Sequence, residues 1–173
     1  MENIREELKL LNSRNLSMRL ITYLALFIAI VAVATYFFKI PGLNTSYYNL
    51  GELCIFTIAI VFGHKAGFIA GSMGSALIDL LVAPVWAPFT FVIKGLEGWV
   101  VGKIAEPGNM YRNIVAVIVG GHIMIVGYAL AVWILYGWPS VLPEIGGNYG
   151  QAAVGAIVAL PLANRINKRF SQI

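Results

Sequence analysis

Three observations predict an all-α, polytopic membrane protein with six transmembrane helices and both termini cytoplasmic. Hydrophobic residues make up 59% of the 173 residues and charged residues 12%, against about 45–50% and about 25% in ordinary soluble domains; the mean hydropathy is +0.79. The apolar residues fall into six runs separated by short polar connectors. The cations are one-sided: Arg5, Lys9, Arg14 and Arg19 lead, Lys65, Lys103 and Arg112 occupy alternate connectors, and Arg165, Lys168 and Arg169 close the chain. Ten of the twelve lysines and arginines thus share one face, which the positive-inside rule makes cytoplasmic and which demands an even number of spans. Residues 1–173 form one integral domain, with a cytoplasmic segment 1–19 before a bundle over 20–165.

Residues 1–19 space Ile4, Leu8 and Leu11 for one helical face, as in an amphipathic helix on the inner surface, or else form a flexible tail. The first span is Leu20 to Phe38, 19 apolar residues. Lys39 to Asn49 has the Pro, Gly, Asn and Ser content of an ordered outer loop. The second span, Leu50 to Gly63, has only 14 residues. At about 1.5 Å per residue it falls well short of a hydrocarbon core about 30 Å thick. Either the preceding loop dips to meet it or a water-filled hollow reaches down from outside.

His64 and Lys65 mark a tight inner turn before the third span, Gly67 to Ala83. Gly67 with Gly71, Ala70 with Gly74, and Ala59 with Gly63 place small residues four apart, which predicts a tight hairpin of spans two and three. Pro84 and Pro88 flank an outer turn carrying Trp86. The fourth span is Phe89 to Gly102 and the fifth Ile114 to Trp138. A Gly/Pro-rich outer loop, Pro139 to Gly147, leads to the sixth, Asn148 to Asn164.

Four charges fall where lipid makes them expensive: Glu52, Asp79, Lys94 and Glu97. Each costs about 2.5–3.5 kcal/mol at a helix centre, so they point to a polar site inside the bundle. Lys94 and Glu97 are three apart and share a helical face, where they can pair or present polar ends to a ligand. His122 follows Gly120 and Gly121, which would allow a close approach by a helix or a flat ligand. Tyr47, Tyr48, Asn49, Trp86, Trp133, Tyr136, Trp138, Asn148, Tyr149 and Gln151 gather on the outer side. They read as an interfacial belt, and also as the rings and amide edges that a planar heterocycle requires.

The net charge of +4 is spread over connectors, so no nucleic-acid partner is expected. Cys54 is the only cysteine, which precludes an internal disulfide. No metal-ligand cluster, catalytic triad pattern or phosphate-binding loop occurs, so neither an enzyme nor a cofactor is expected, and any ATP-driven motor must be a separate chain.

The stretch NLGELCIFTIAIVFGHKAGFIAGSMGSALIDLL followed by WAPFTFVIKGLEGWVVG resembles the substrate-binding S components of energy-coupling factor (ECF) vitamin transporters, the group that includes uptake proteins for riboflavin, pyridoxine and thiamine precursors. The resemblance implies six helices, an outer loop after the first that closes over substrate, and a T component and two cytoplasmic ATPases as partners in a prokaryotic plasma membrane. It also implies that small residues four apart on the first helix, here Ala25 and Ala29, dock on the T component. The expected ligand set is Tyr48, Asn49, Glu52, Asp79, Trp86, Lys94, Glu97, His122, Trp133, Asn148 and Gln151, around a small vitamin-like molecule. The rival expectation is a small secondary transporter or channel that uses the intramembrane acids as a proton or cation relay.

Overall fold

A computed structural model describes residues 17–41 and 47–170. The amphipathic segment expected at 1–19 lies, except for its last three residues, outside the described residues, as does the middle of the 39–49 loop.

Six helices account for the described chain. Helix α1, Met18–Phe37, starts at Ser17, whose hydroxyl accepts the Leu20 N–H at 3.1 Å and so satisfies one of the free amides of the first turn. Two short strands follow, β1 (Ile40–Pro41) and β2 (Tyr47–Tyr48), paired antiparallel with Ile40 opposite Tyr48. Helix α2 is Gly51–Phe62 and α3 is His64–Val82, joined through Gly63 alone. The φ of +90° at Gly63 lies in a region that side-chain-bearing residues avoid. Helix α4 spans Ala87–Ile104 and α5 Met110–Tyr136, the latter capped by the Asn109 side chain on the Arg112 N–H at 3.2 Å. After a 3-10 turn, Trp138–Ser140, α6 runs over Val141–Phe170.

The outer loop expected at Pro139–Gly147 is therefore mostly helix. Its glycines and prolines suggest a loop by composition, but Val141, Glu144 and Asn148 are spaced three and four apart and are all buried on one helical face. Pro143 falls in the first turn of α6, where its missing N–H has no helical acceptor to lose.

The helices close a ring in the order α1, α3, α4, α5, α6, α2, and α2 also touches α3 and α4 across it. Helix α2 is thus the central element: nine of its twelve residues are buried, among them Ile55, Phe56 and Ile60. It rises only about 18 Å, so it fills the inner and middle part of the ring and leaves a space at the outer end. Helices α1, α3 and α5 are each long and apolar enough to cross a membrane. Their outward faces carry exposed Leu26, Ile30, Leu77, Leu81, Ile118 and Val126, side chains suited to lipid.

The expected hairpin of spans two and three forms, with a Cβ on Gly67 standing 2.8 Å from Ala59 Cβ, but the closest helix pairing is α3 with α4. A Cβ on Gly67 would collide with the Gly98 carbonyl, and one on Gly98 with the Gly67 carbonyl. A Cβ on Gly71 would stand 2.5 Å from the Lys94 carbonyl oxygen, while Gly74 serves α1, 2.7 Å from Val31 Cβ. The small-residue stripe was legible; which neighbour it admits depends on packing around the ring.

Candidate functional site

The floor of the outer space is a buried polar chain. Lys94 of α4 is 2% exposed, and Glu52 of α2 and Glu97 of α4 are fully buried. The Lys94 ammonium donates to Glu52 Oε1, lies 3.3 Å from Glu97 Oε2, and is 2.8 Å from Met124 Sδ and 5.4 Å from the centre of the Tyr128 ring. Gln151 Nε2 of α6 donates to the same Glu52 oxygen at 2.7 Å, and Gln151 Oε1 accepts the Asn49 N–H at 2.7 Å. Asn49 Oδ1 in turn accepts the Gly51 N–H at 2.7 Å, fixing the start of α2. One connected network thus ties the β2–α2 junction, α2, α4 and α6 together. Because each member is held by another element, the side chains are oriented before any ligand arrives.

Above this floor is a hollow of about 410 Å³, counting the part open to the outside, lined by Thr35, Asn49, Ser75, Asp79, Trp86, Thr90, Lys94, Tyr128, Glu144, Asn148 and Gln151. Little of it is wider than a water molecule, so side chains must part for a ring to enter. Trp86, 3% exposed, faces Tyr128 and Tyr136 with ring centres 6.0 Å from each. The Tyr128 hydroxyl pairs with Thr90 Oγ1 at 2.9 Å, and Asn148 Nδ2 donates to Glu144 Oε1 at 3.0 Å. Among the described residues no three His, Cys, Asp or Glu side chains converge as a metal ion would require.

Six of the residues expected from sequence line the hollow: Asn49, Asp79, Trp86, Lys94, Asn148 and Gln151. Glu52 and Glu97 lie just beneath, gripping Lys94. Tyr48 sits at the rim with its ring against Gly147 of α6, so close that a Cβ there would overlap the phenol. Burial, and secondarily the Glu144 carboxylate, raise the Tyr48 hydroxyl above its ordinary pKa and keep it neutral.

Two expected residues are elsewhere. His122 is exposed on the outer face of α5, its Nδ1 2.8 Å from the Ile118 carbonyl and its Nε2 3.4 Å from the Tyr149 hydroxyl. Trp133 is 54% exposed. The reason is helical phase: α5 turns Met124, Tyr128 and Ala131 inward, and a residue two positions away points to the opposite side.

Thr35, Ser75, Thr90, Tyr128 and Glu144 line the hollow without having been expected there. Four stand at helical spacing from polar residues already identified, or from the inward Met124: Ser75 four before Asp79, Thr90 four before Lys94, Glu144 four before Asn148, and Tyr128 four after Met124. Thr35, a lone hydroxyl near the end of an apolar span, offers no such signal.

A ring of membrane-suited helices around a polar hollow defines a polytopic membrane protein with one candidate solute site. Residues 15–168 match the profile of the family described as ECF-type riboflavin transporter, S component. The chain belongs to this family, and is accordingly a vitamin-binding subunit of an ECF-type transporter, which works with a T component and ATPase module. It is 36% identical over 145 residues to a protein of Pyrococcus woesei described as an uncharacterized protein in gap 3'region, covering 83% of this chain and 98% of that one. It is 26% identical over 164 residues to the thiamine precursor transporter HmpT of Lactococcus lactis subsp. cremoris (strain MG1363), covering 93% and 94%.

Proposed function

We propose that this chain captures a small vitamin or vitamin precursor from outside the cell in the hollow above Lys94, with the segment Lys39 to Asn49 closing over it. The observation that carries this reading is the buried network from Asn49 through Gln151 and Glu52 to Lys94 and Glu97. It couples the end of the outer segment to the cavity floor, so a ligand touching the floor also stabilises the closed position of the rim. Trp86 and Tyr128 supply apolar walls, Asn148 supplies an amide edge, and Gln151 holds the floor. The small side chains of Ala25 and Ala29 are exposed on α1 and form the face that docks on the T component. The protein is a multi-pass component of a prokaryotic plasma membrane, with both termini cytoplasmic.

The test is ligand binding to purified protein, followed by uptake into liposomes. Lys94→Ala and Glu97→Gln are expected to abolish or sharply weaken binding. Uptake is expected only when the T component and both ATPases are reconstituted with ATP. Unchanged affinity in both variants would misplace the site, and flux by this chain alone would favour an acid-relay transporter instead.

A further inference from the structure

The hollow has a charge character that narrows its ligand, on the reading that it is a vitamin-binding site. Two carboxylates line its walls, Asp79 of α3 at 5% exposure and Glu144 of α6 at 5%. Among the described residues the only ammonium in the lining is that of Lys94, and Glu52 and Glu97 already engage it. Hollow and floor together hold four carboxylates to one ammonium among the described residues. A phosphate or carboxylate ligand would find acidic side chains and no uncommitted cation in this lining to meet it.

A second observation is independent of these charges. Thr35 Oγ1 lines the same hollow at 1% exposure and has no hydrogen-bond partner. A buried hydroxyl left unpaired is costly and is expected to find its partner in what fills the space. Asp79 on α3 and Glu144 on α6 present acceptors to the hollow, and the Thr35 hydroxyl on α1, able to donate or accept, stands beside them. The Trp86 and Tyr128 rings give a π-rich surface of the kind that attracts cations.

We infer that the ligand is a flat nitrogen heterocycle that is cationic or protonatable, with its N–H-bearing or positive edge held by Asp79, Glu144 and Thr35. Titration calorimetry on the detergent-purified full chain tests this with four probes: thiamine as a permanent cation, its hydroxymethyl-aminopyrimidine half as a protonatable ring, riboflavin as a neutral ring and pyridoxal 5′-phosphate as an anion. One of the first two is expected to bind tightest. Asp79→Asn and Glu144→Gln are each expected to weaken it about ten-fold or more, and Thr35→Val about three- to ten-fold. Thermal unfolding must match the parent protein; where Asp79→Asn does not fold, Glu144→Gln and Thr35→Val carry the comparison. Tighter binding of riboflavin or of the phosphate, or unchanged affinity for the cationic probe in the folded variants, overturns the charge assignment and leaves vitamin binding standing. Absence of binding by all four probes, with no partner-dependent uptake of any of them, overturns both.

Discussion

Lys94 sits between two carboxylates at the almost fully buried floor of the hollow, and this makes it the residue whose loss is most informative. Removing the ammonium leaves Glu52 and Glu97 facing one another with no counter-charge, a situation that costs about 3–5 kcal/mol where one partner of a buried pair is deleted. Lys94→Met is expected to destabilise the protein by that order, measured by reversible unfolding in detergent. Glu97→Gln is expected to cost less, about 1–3 kcal/mol, because Glu52 still pairs with Lys94. The Lys94–Glu97 relation was readable from spacing alone, since residues three apart on a helix share a face. Glu52, 42 residues earlier, joined them only through the approach of α2 to α4. Thr35 was missed for a related reason: a single hydroxyl in an apolar run has no periodic neighbour to mark which way it points.

At the scale of the elements, the seam between α3 and α4 is built on absent side chains. Gly67 and Gly98 stack carbonyl against Cα, so any Cβ forces the helices apart. Gly98→Ala is expected to destabilise by about 1–3 kcal/mol, the usual cost of overpacking. Gly150→Ala on the exposed, open face of α6 is expected to be neutral or stabilising by up to about 1 kcal/mol, since alanine is the better helix former. Paired melting curves in one detergent check both, and equal effects would show that helix propensity and not close contact governs the seam. Helix α6 illustrates the opposite difficulty. Its first turns contain Pro143, Gly146 and Gly147, residues of a loop by composition, yet burial of Val141, Glu144 and Asn148 against the bundle holds them helical. Tertiary packing outweighed local propensity there, as it commonly does.

For the molecule as a whole, the position of Tyr48 on Gly147 links the outer segment to α6 across the mouth of the hollow. Gly147→Val is expected to displace the phenol and raise the ligand dissociation rate about ten-fold, a loss of roughly 1.4 kcal/mol, followed by stopped-flow release. The docked hydroxyl is neutral and its pKa is raised above the ordinary 10.0 by burial and by Glu144. Its docking contribution is therefore intact below pH about 10 and declines above it, where the undocked phenol ionises first. Alkaline acceleration of release that persists in Tyr48→Phe would assign the effect to another group.

What the sequence by itself determined is the solvent and the count: long apolar runs can satisfy their backbone in lipid only as helices, and the one-sided cations require an even number of them. It also marked Glu52, Asp79, Lys94 and Glu97, because charge in such runs is too expensive to be incidental. Only the tertiary structure decided which of the polar groups share one space. His122 and Trp133 turn outward while Tyr128 and Glu144 turn inward, and the short central α2 leaves its end open for the hollow. Composition and spacing fix distances along one helix, whereas a site is made by the rotation and depth of several helices against each other, and those are set by close packing that no single segment encodes.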